Sequence, residues 1–336
     1  MEATPVSQGQ HSAAVRPTVV FVVGLGRSGT SALTRVLSLS GAALPSGLLG
    51  ATIDNPRGYF EPRAAISLNQ QILRRHGSSG YDPSLRLQED GAIGSDERAR
   101  WVTRIGRYLS TLPTAPVVVL KEPKITLVSG LWFDAARRAG FEVAAIIALR
   151  HPGEVIDSLD RRGGRQFYVR NSPELTAAWW LRYTLLAERA TRGITRVIVD
   201  YDNLLTDWRQ EVKRISVALG VDLPASDGQA VDGFLSAELR HHHEPGPVTD
   251  PFGTDWLSTV YGVLAMAARD DVRDEEWERA ELDRVYESYR AAERGFRTAL
   301  AGYGRYRNLN WLLAPTVVRS ALGIMAIAHR RRGTWA

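Results

Sequence analysis

A glycine-rich segment near the start of the chain contains the residue types that bind phosphate. Residues 24–31 read GLGRSGTS, after an apolar run that predicts a strand and before a pattern that predicts an amphipathic helix. Glycines let the backbone curl closely around a ligand, and the free N–H groups at a helix start favour an anion. The predicted phosphate-binding residues are Gly26, Arg27, Ser28, Gly29, Thr30 and Ser31.

This segment fits two known phosphate-loop patterns in part. It satisfies the dinucleotide pattern G-x-G-x-x-G, but residues 41–50 lack the acidic residue expected about 20 positions later. It also fits the Walker pattern G-x-x-x-x-G-K-[ST], except that Thr30 replaces the lysine. Nucleoside triphosphatases need that lysine on the β- and γ-phosphates, so its absence argues against γ-phosphate cleavage. Arg27 supplies the cation from inside the loop instead.

Two further groups of polar residues follow predicted buried strands. Lys121, Glu122 and Lys124 come directly after a short run of valine and leucine. Arg150 ends a longer apolar run, and Ser158 stands eight positions later on a predicted helix. Because open α/β sheets bind ligands at the carboxyl ends of their strands, both groups are candidates for a binding site.

Together these segments resemble the sulfotransferases that use 3′-phosphoadenosine-5′-phosphosulfate (PAPS). The GRSGTS segment is similar to the phosphosulfate-binding loop of that family, where a basic residue stands two positions before Gly-Thr, as Arg27 does here. The family binds the 3′-phosphate with an arginine and a serine spaced like Arg150 and Ser158. Its carbohydrate-acting members carry a K-x-P segment with the lysine near the transferred group, which implies this role for Lys121 and, less directly, for Lys124.

The resemblance also implies a catalytic base. Residues 55–61, NPRGYFE, are similar to a segment of bacterial sulfotransferases, and a glutamate from this region is the base in related enzymes. Glu61 is therefore the preferred candidate, although a glutamate at a helix start is also favoured by the helix dipole. Glu122, at a strand end, and His241, in a segment similar to an L-R-H of related enzymes, remain alternatives.

Composition and charge narrow the classes of partner. The net charge of +5 favours acidic small molecules or an anionic surface, whereas the dispersed arginines and the lack of a nucleic-acid motif argue against DNA or RNA. The chain has no cysteine, so disulfides and thiolate chemistry are excluded. The consecutive histidines 241–243 do not share one helical face, and no metal site is predicted.

The element pattern predicts a three-layer α/β/α fold with a central parallel sheet, a P-loop-like turn and C-terminal helices. Residues 1–17 are polar, lack the apolar core of a signal peptide, and predict a disordered lead-in and a cytoplasmic protein. The sulfotransferase-like domain is predicted over 18–305 and a tail helix over 306–336. Residues 77–100 predict a loop or mobile lid, and residues 161–170 an anion-facing basic loop.

The tail contains an apolar stretch, residues 311–328, followed by a basic cluster. Its length is close to that of a membrane span, but Pro315 and Arg319 interrupt it. Three interpretations remain open: packing of the tail on the core, a homodimer contact, and peripheral contact with an anionic surface such as the inner membrane.

The resemblance thus implies transfer of a sulfuryl group from PAPS to a hydroxyl of a carbohydrate, a glycolipid or a small metabolite. The product nucleotide would be 3′-phosphoadenosine-5′-phosphate (PAP), and no metal is required because the donor lacks the β/γ-phosphate pair that Mg²⁺ bridges. Glu61, Lys121 and Arg27 are the predicted catalytic residues. The alternatives are a P-loop nucleotide kinase or NTPase and a non-catalytic nucleotide-binding protein.

Overall fold

A parallel sheet of four strands forms the centre of this computed structural model. The structure describes residues 16–51, 55, 58–163, 172–224, 228–235, 246–269, 275–308 and 324. The strands lie in the order β2-β1-β3-β4, and each neighbouring pair is parallel. Their bounds are β1 (Thr18–Val23), β2 (Val117–Lys121), β3 (Glu142–Leu149) and β4 (Thr195–Asp200).

Helices make up most of the remaining described residues. They are α1 (Thr30–Leu39), α2 (Arg63–Arg75), α3 (Ser95–Leu109), α4 (Ser129–Arg138), α5 (Pro152–Gly163), α6 (Pro173–Thr191), α7 (Tyr201–Thr206), α8 (Trp208–Leu219), α9 (Gly228–Phe234), α10 (Trp256–Ala268) and α11 (Glu275–Asn308). Short 3₁₀ helices cover Arg86–Gln88 and Pro123–Val128. The sequence patterns above predict none of the four helices from α7 to α10.

Helices cover both faces of the sheet, which confirms the predicted α/β architecture. Successive side chains of a strand point to opposite faces. Val20 and Val22 of β1 accordingly pack in a buried cluster with apolar residues of α1 and α8. Phe21 lies on the other face, where its ring centroid is 5.1 Å from that of Phe133 and 6.5 Å from that of Trp132, both on α4.

The strand order creates a crevice at one edge of the sheet. β1 lies in the interior of the sheet, with β2 on one side of it. After β2 the chain crosses over β1, and β3 pairs with the other side of β1. Val22 pairs with Lys121 and Val23 with Ile147, so the three strands end at nearly the same level. Such a reversal of strand order leaves an opening outside the carboxyl ends of the strands, which is where α/β sheets bind ligands. The three polar groups singled out in the sequence all lie at this edge.

The loop before α3 is packed against α6 near residues 80 and 81. The Trp179 indole N–H donates to the carbonyl of Tyr81 at 2.6 Å, and the Tyr183 hydroxyl donates to the carbonyl of Gly80 at 3.1 Å. These bonds attach the loop to α6, so this part of the predicted lid is fastened to the core. The α3 helix already begins at Ser95, inside the range predicted as a loop.

The chain divides into two compact units, Met1–Tyr286 and Glu287–Ala336. All the site residues described below belong to the first. In the second, an ion pair of 3.2 Å joins Arg297 to Glu293, and Phe296 is 73% exposed. The predicted lead-in, except for residues 16 and 17, and most of the predicted tail lie outside the described residues, so the domain boundaries stay predictions. Among the helices of the described part, none is both long and apolar enough to cross a membrane.

Candidate functional site

The turn after β1 has a backbone path that its glycines make possible. Gly24 has a φ of 125°, and a Cβ at this position would stand 2.8 Å from the carbonyl oxygen of Ala148 on β3. Its N–H group donates to Thr126 Oγ1 at 3.0 Å, which connects the turn to the segment after β2. Glycine therefore lets β1 end in contact with its neighbouring strand.

The start of α1 is packed closely against α7. Gly29 has a φ of 79°, and a Cβ here would lie 2.3 Å from Cδ2 of Tyr201. The first helical hydrogen bond runs from Leu33 N to Gly29 O at 3.0 Å, and no described side chain caps the helix. The N–H groups before Leu33 at the helix start have no partner within the helix, and the helix dipole favours an anion at this end.

Arg27 and the residues after β3 form one cationic group. Arg27 Nε donates to Ser158 Oγ on α5 at 2.9 Å, and Arg150 Nη1 donates to the carbonyl oxygen of Arg27 at 3.2 Å. Arg150 Nε also donates to Glu154 Oε2 at 2.6 Å. The phosphate loop and the predicted Arg150–Ser158 pair, which are more than 100 positions apart in sequence, are therefore in direct contact.

The Tyr201 ring lies beside both Arg150 and the turn at Gly29. The Arg150 guanidinium carbon lies 4.9 Å from the centroid of the Tyr201 ring, and the same ring limits the space at Gly29. Asp200, the last residue of β4, accepts from the N–H of Asp202 at 3.1 Å and thereby starts α7. The sequence does not predict a site role for Tyr201; its position directly after a buried strand was the available signal.

Lys121 and Glu61 form a buried ion pair beside the loop. Lys121 is 2% exposed, and its Nζ donates to Glu61 Oε1 at 2.7 Å and to Ser31 Oγ at 3.0 Å. Burial lowers the pKa of Lys121, and the neighbouring Glu61 carboxylate opposes that shift. Since Ser31 lies in the first turn of α1, the structure brings the predicted base, the predicted lysine and the phosphate loop together. The Ser31 hydroxyl also donates to the carbonyl of Tyr59 at 3.3 Å.

Glu122, the rival candidate base, is fully buried on a different side of the strand end. Its Oε2 accepts from Asn69 Nδ2 at 2.5 Å, and its Oε1 accepts from Lys124 Nζ. Burial raises the pKa of the Glu122 carboxyl, while the Lys124 ammonium opposes the shift. Both oxygens already have donors, so Glu61 is the better placed of the two carboxylates. The third candidate, His241, lies outside the described residues.

The arrangement brings cationic side chains and a carboxylate together beyond the ends of the central strands. Arg150 contacts the loop through the Arg27 carbonyl, and Glu61 is connected to the loop through Lys121, whose Nζ donates to both Glu61 and Ser31. The described residues contain no group of three or more His, Asp or Glu side chains arranged to hold a metal ion. Thr126 and Glu154, which orient Gly24 and Arg150, are further site residues that the sequence motifs do not indicate. Most of the predicted basic loop 161–170 lies outside the described residues.

Comparisons with known proteins give structural similarity only. No family model and no curated protein matches the chain. The sulfotransferase domain of the Synechococcus PCC 7002 olefin synthase is 18% identical, with a TM-score of 0.42, over 80% of this chain and 100% of its own. A sulfotransferase domain of the curacin biosynthetic pathway is 16% identical, with a TM-score of 0.42, over 74% and 98%. A sulfotransferase of Mycobacterium tuberculosis H37Rv is 16% identical, with a TM-score of 0.40, over 65% and 72%.

Proposed function

We propose that this chain is a sulfotransferase that moves the sulfuryl group of PAPS to a hydroxyl of an acceptor. The observation that carries the proposal is the contact between two arginine-bearing segments that follow the neighbouring strands β1 and β3. Arg27 meets Ser158 at 2.9 Å, and Arg150 meets the Arg27 carbonyl at 3.2 Å. A nucleotide with phosphate on both its 3′ and 5′ positions needs two such groups within the span of one nucleoside.

The donor fits this crevice through its two charged ends. The N–H groups at the start of α1, with Arg27 and the loop hydroxyls, would hold the 5′-phosphosulfate. Arg150 and Ser158 would hold the 3′-phosphate. Arg150 uses Nε for Glu154 and Nη1 for the loop carbonyl, and its Nη2 donates to no other described residue. Nucleotides such as ATP, which lack the 3′-phosphate, would leave Arg150 Nη2 without a phosphate oxygen and would bind more weakly.

The acceptor chemistry follows from the ion pair at the end of β2. The donor supplies an activated sulfur atom, bonded through oxygen to the 5′-phosphate. Glu61 would take the proton of the acceptor hydroxyl as its oxygen forms a bond to sulfur. The bond from sulfur to the phosphate oxygen breaks, and negative charge develops on that oxygen. Arg27, Lys121 and the α1 N–H groups would stabilise this charge.

The proposed acceptors are hydroxyls of carbohydrates, glycolipids or small metabolites. The support is the similarity of Lys121, Glu122 and Pro123 to a segment of carbohydrate-acting sulfotransferases. A direct test incubates the protein with ³⁵S-labelled PAPS and fractionated cell extract, and identifies the labelled products by mass spectrometry. A sulfated product that forms only with active protein supports the proposal.

Calorimetry with PAP tests the donor site without an acceptor. We expect PAP to bind more tightly than adenosine 5′-monophosphate or ATP, because only PAP has a phosphate for Arg150. Tight PAP binding without transfer to any acceptor would instead indicate a non-catalytic nucleotide-binding protein. Mg²⁺-dependent turnover of ATP would contradict the proposal and indicate a P-loop kinase or NTPase.

A further inference from the structure

A second ion pair, with a buried carboxylate and a partly exposed ammonium, lies directly after Lys121 and has no part in the mechanism above. Glu122 is 0% exposed, and its carboxylate accepts from Lys124 Nζ and from Asn69 Nδ2. The Asn69 side chain is also fully buried, on α2. Two ion pairs, Lys121 with Glu61 and Lys124 with Glu122, thus stand side by side at the end of one strand.

Hydrogen bonding fixes the orientation of this cluster. The Trp132 indole N–H donates to Asn69 Oδ1 at 2.8 Å. Because an indole nitrogen can only donate, the oxygen of the Asn69 amide must face Trp132 and its NH₂ group must face Glu122. Glu122 therefore has a donor at each oxygen. Burial raises the pKa of this carboxyl, and the two donors oppose that shift because they favour the ionised form.

Stability alone is a weak reason for such a pair. Removing two opposite charges from water costs free energy that their attraction does not fully return, and well-packed apolar residues often serve as well. The position of the pair indicates a different role, because Glu122 directly follows Lys121 in the chain. The electrostatic influence of Glu122 reaches Lys121 through low-dielectric surroundings, where charges act strongly.

We propose that Glu122 is a positioning residue for sulfuryl transfer: it is the second anion that keeps Lys121 positively charged while Glu61 loses its own charge to the acceptor proton. This inference rests on the proposed function. When Glu61 takes up the proton, Lys121 loses the partner of its 2.7 Å ion pair. A buried ammonium without an anion would then release its proton at the moment when its charge is needed.

The charges that act on Lys121 support this assignment. Burial lowers the pKa of Lys121, and Lys124 lowers it further, whereas Glu61 and Glu122 raise it. The effect of Glu122 exceeds that of Lys124. Tyr183, on α6, lies near Glu122 and Glu61 but is kept neutral because burial raises its pKa. With Glu61 protonated, Glu122 is the carboxylate with the strongest remaining influence on Lys121.

The small number of lysines permits a direct measurement. The chain has three, Lys121, Lys124 and Lys213, so ¹³Cε- and ¹⁵Nζ-labelled lysine gives three side-chain NMR signals, which single Lys→Arg variants assign. We expect Glu122→Gln to lower the titration midpoint of Lys121 by about one pH unit or more, because an opposite charge at close range shifts a pKa by that order. Glutamine has nearly the same shape as glutamate, and its amide oxygen can accept from Asn69 or from Lys124, but not from both.

Two further variants separate charge from structure. Glu122→Asp keeps the anion and should largely restore the midpoint of Lys121. The double variant Glu122→Gln, Lys124→Met also removes the neighbouring cation. The titration midpoint of Lys121 should therefore be higher than in Glu122→Gln but lower than in wild type. A purely structural role predicts no such reversal. Should Glu122→Gln fail to fold, the double variant still tests the proposal, since its midpoint must lie below that of wild type.

The control is Glu97→Gln, the same chemical change on α3, because Glu97 is not among the groups that act on Lys121. In Glu97→Gln the titration midpoint of Lys121 should equal that of wild type. The titration midpoint of Lys213 should be unchanged in every variant. An unchanged or raised Lys121 midpoint in Glu122→Gln overturns the inference. Calorimetry with PAP on the same samples distinguishes failure of this inference from failure of the proposed function. If the wild-type protein does not bind PAP, the proposed function is rejected, whatever the lysine titrations show.

Discussion

The side chain of Arg150 holds the backbone of Arg27, 123 positions earlier in the chain, through a hydrogen bond of 3.2 Å from Nη1 to the carbonyl oxygen. Arg27 has a φ of 76°, in the left-handed region that non-glycine residues rarely adopt. Such a conformation costs on the order of 1–3 kcal/mol and persists only where surrounding contacts determine it. Arg150 and Ser158 supply those contacts, so the phosphate loop and the end of β3 act as one structural unit.

Replacing Arg150 with alanine should chiefly weaken the binding of the donor nucleotide. We expect PAP affinity to fall about 10- to 100-fold, because a hydrogen bond to a charged group contributes about 1.5–3 kcal/mol. Any disturbance of the loop would weaken adenosine 5′-monophosphate as well, so the ratio of the two affinities isolates the contact with the 3′-phosphate. Calorimetry measures both.

The control for this substitution is Glu154→Gln. It keeps the guanidinium and removes the carboxylate that accepts from Arg150 Nε, so PAP should bind at least as tightly as to wild type. Equal PAP affinities of wild type and Arg150→Ala would refute the assignment of Arg150 to the 3′-phosphate.

Replacing Glu61 with glutamine should reduce the rate of transfer and spare donor affinity. The amide oxygen can still accept from Lys121, so the local packing is retained, but it cannot take a proton at neutral pH. Loss of a general base typically lowers the rate by about 10²- to 10⁴-fold. Initial rates with labelled PAPS, together with PAP calorimetry, measure the two effects. Undiminished turnover would rule out Glu61 as the base and direct attention to His241.

Gly29→Ala should abolish nucleotide binding and lower the thermal unfolding temperature. The new methyl group would meet the Tyr201 ring at 2.3 Å, and the φ of 79° is unfavourable for alanine. Overpacking of this kind costs about 1–3 kcal/mol, in addition to the backbone strain. Gly140→Ala is the matched control, because its φ is 87° and no described atom lies within 4 Å of the position that its Cβ would occupy. Equal losses of stability in the two variants would mean that contact with Tyr201 contributes nothing.

Asp200→Asn should change how stability depends on pH. Burial raises the pKa of Asp200 from 3.8 to about 6, so its contribution to stability is fully present below pH 3.8 and is lost as the pH rises through 6. Asparagine stays neutral and keeps the acceptor that starts α7. Relative to wild type, the variant should therefore gain up to about 3 kcal/mol between about pH 4 and pH 7, since each pKa unit corresponds to about 1.4 kcal/mol.

Denaturant titrations at several pH values measure this difference. The control is Asp134→Asn, which removes a half-buried carboxylate paired with Arg98 and should therefore lower stability rather than raise it. A stability difference between Asp200→Asn and wild type that does not grow with pH would contradict a raised pKa for Asp200.

Local patterns in the sequence determined the strands, the turn at 24–31, and the residues Lys121 and Arg150 at strand ends. These features are contiguous: an apolar β-branched run makes a strand, glycines make the turn, and the first charge after the run marks the end of the strand. Their proposed roles in catalysis and binding stay predictions, but their positions at one edge of a parallel sheet are properties of the fold.

Only the tertiary structure decided which of these residues meet. Arg27 contacts Ser158 and Lys121 contacts Glu61 because β1 lies between β2 and β3, an order that no local pattern specifies. The same packing buries Glu122 between α2 and Lys124 and leaves Glu61 beside the loop, whereas the sequence preferred Glu61 but left Glu122 open as an alternative base. A short segment encodes its own backbone conformation, whereas contacts between distant segments depend on how the whole chain buries its apolar surface.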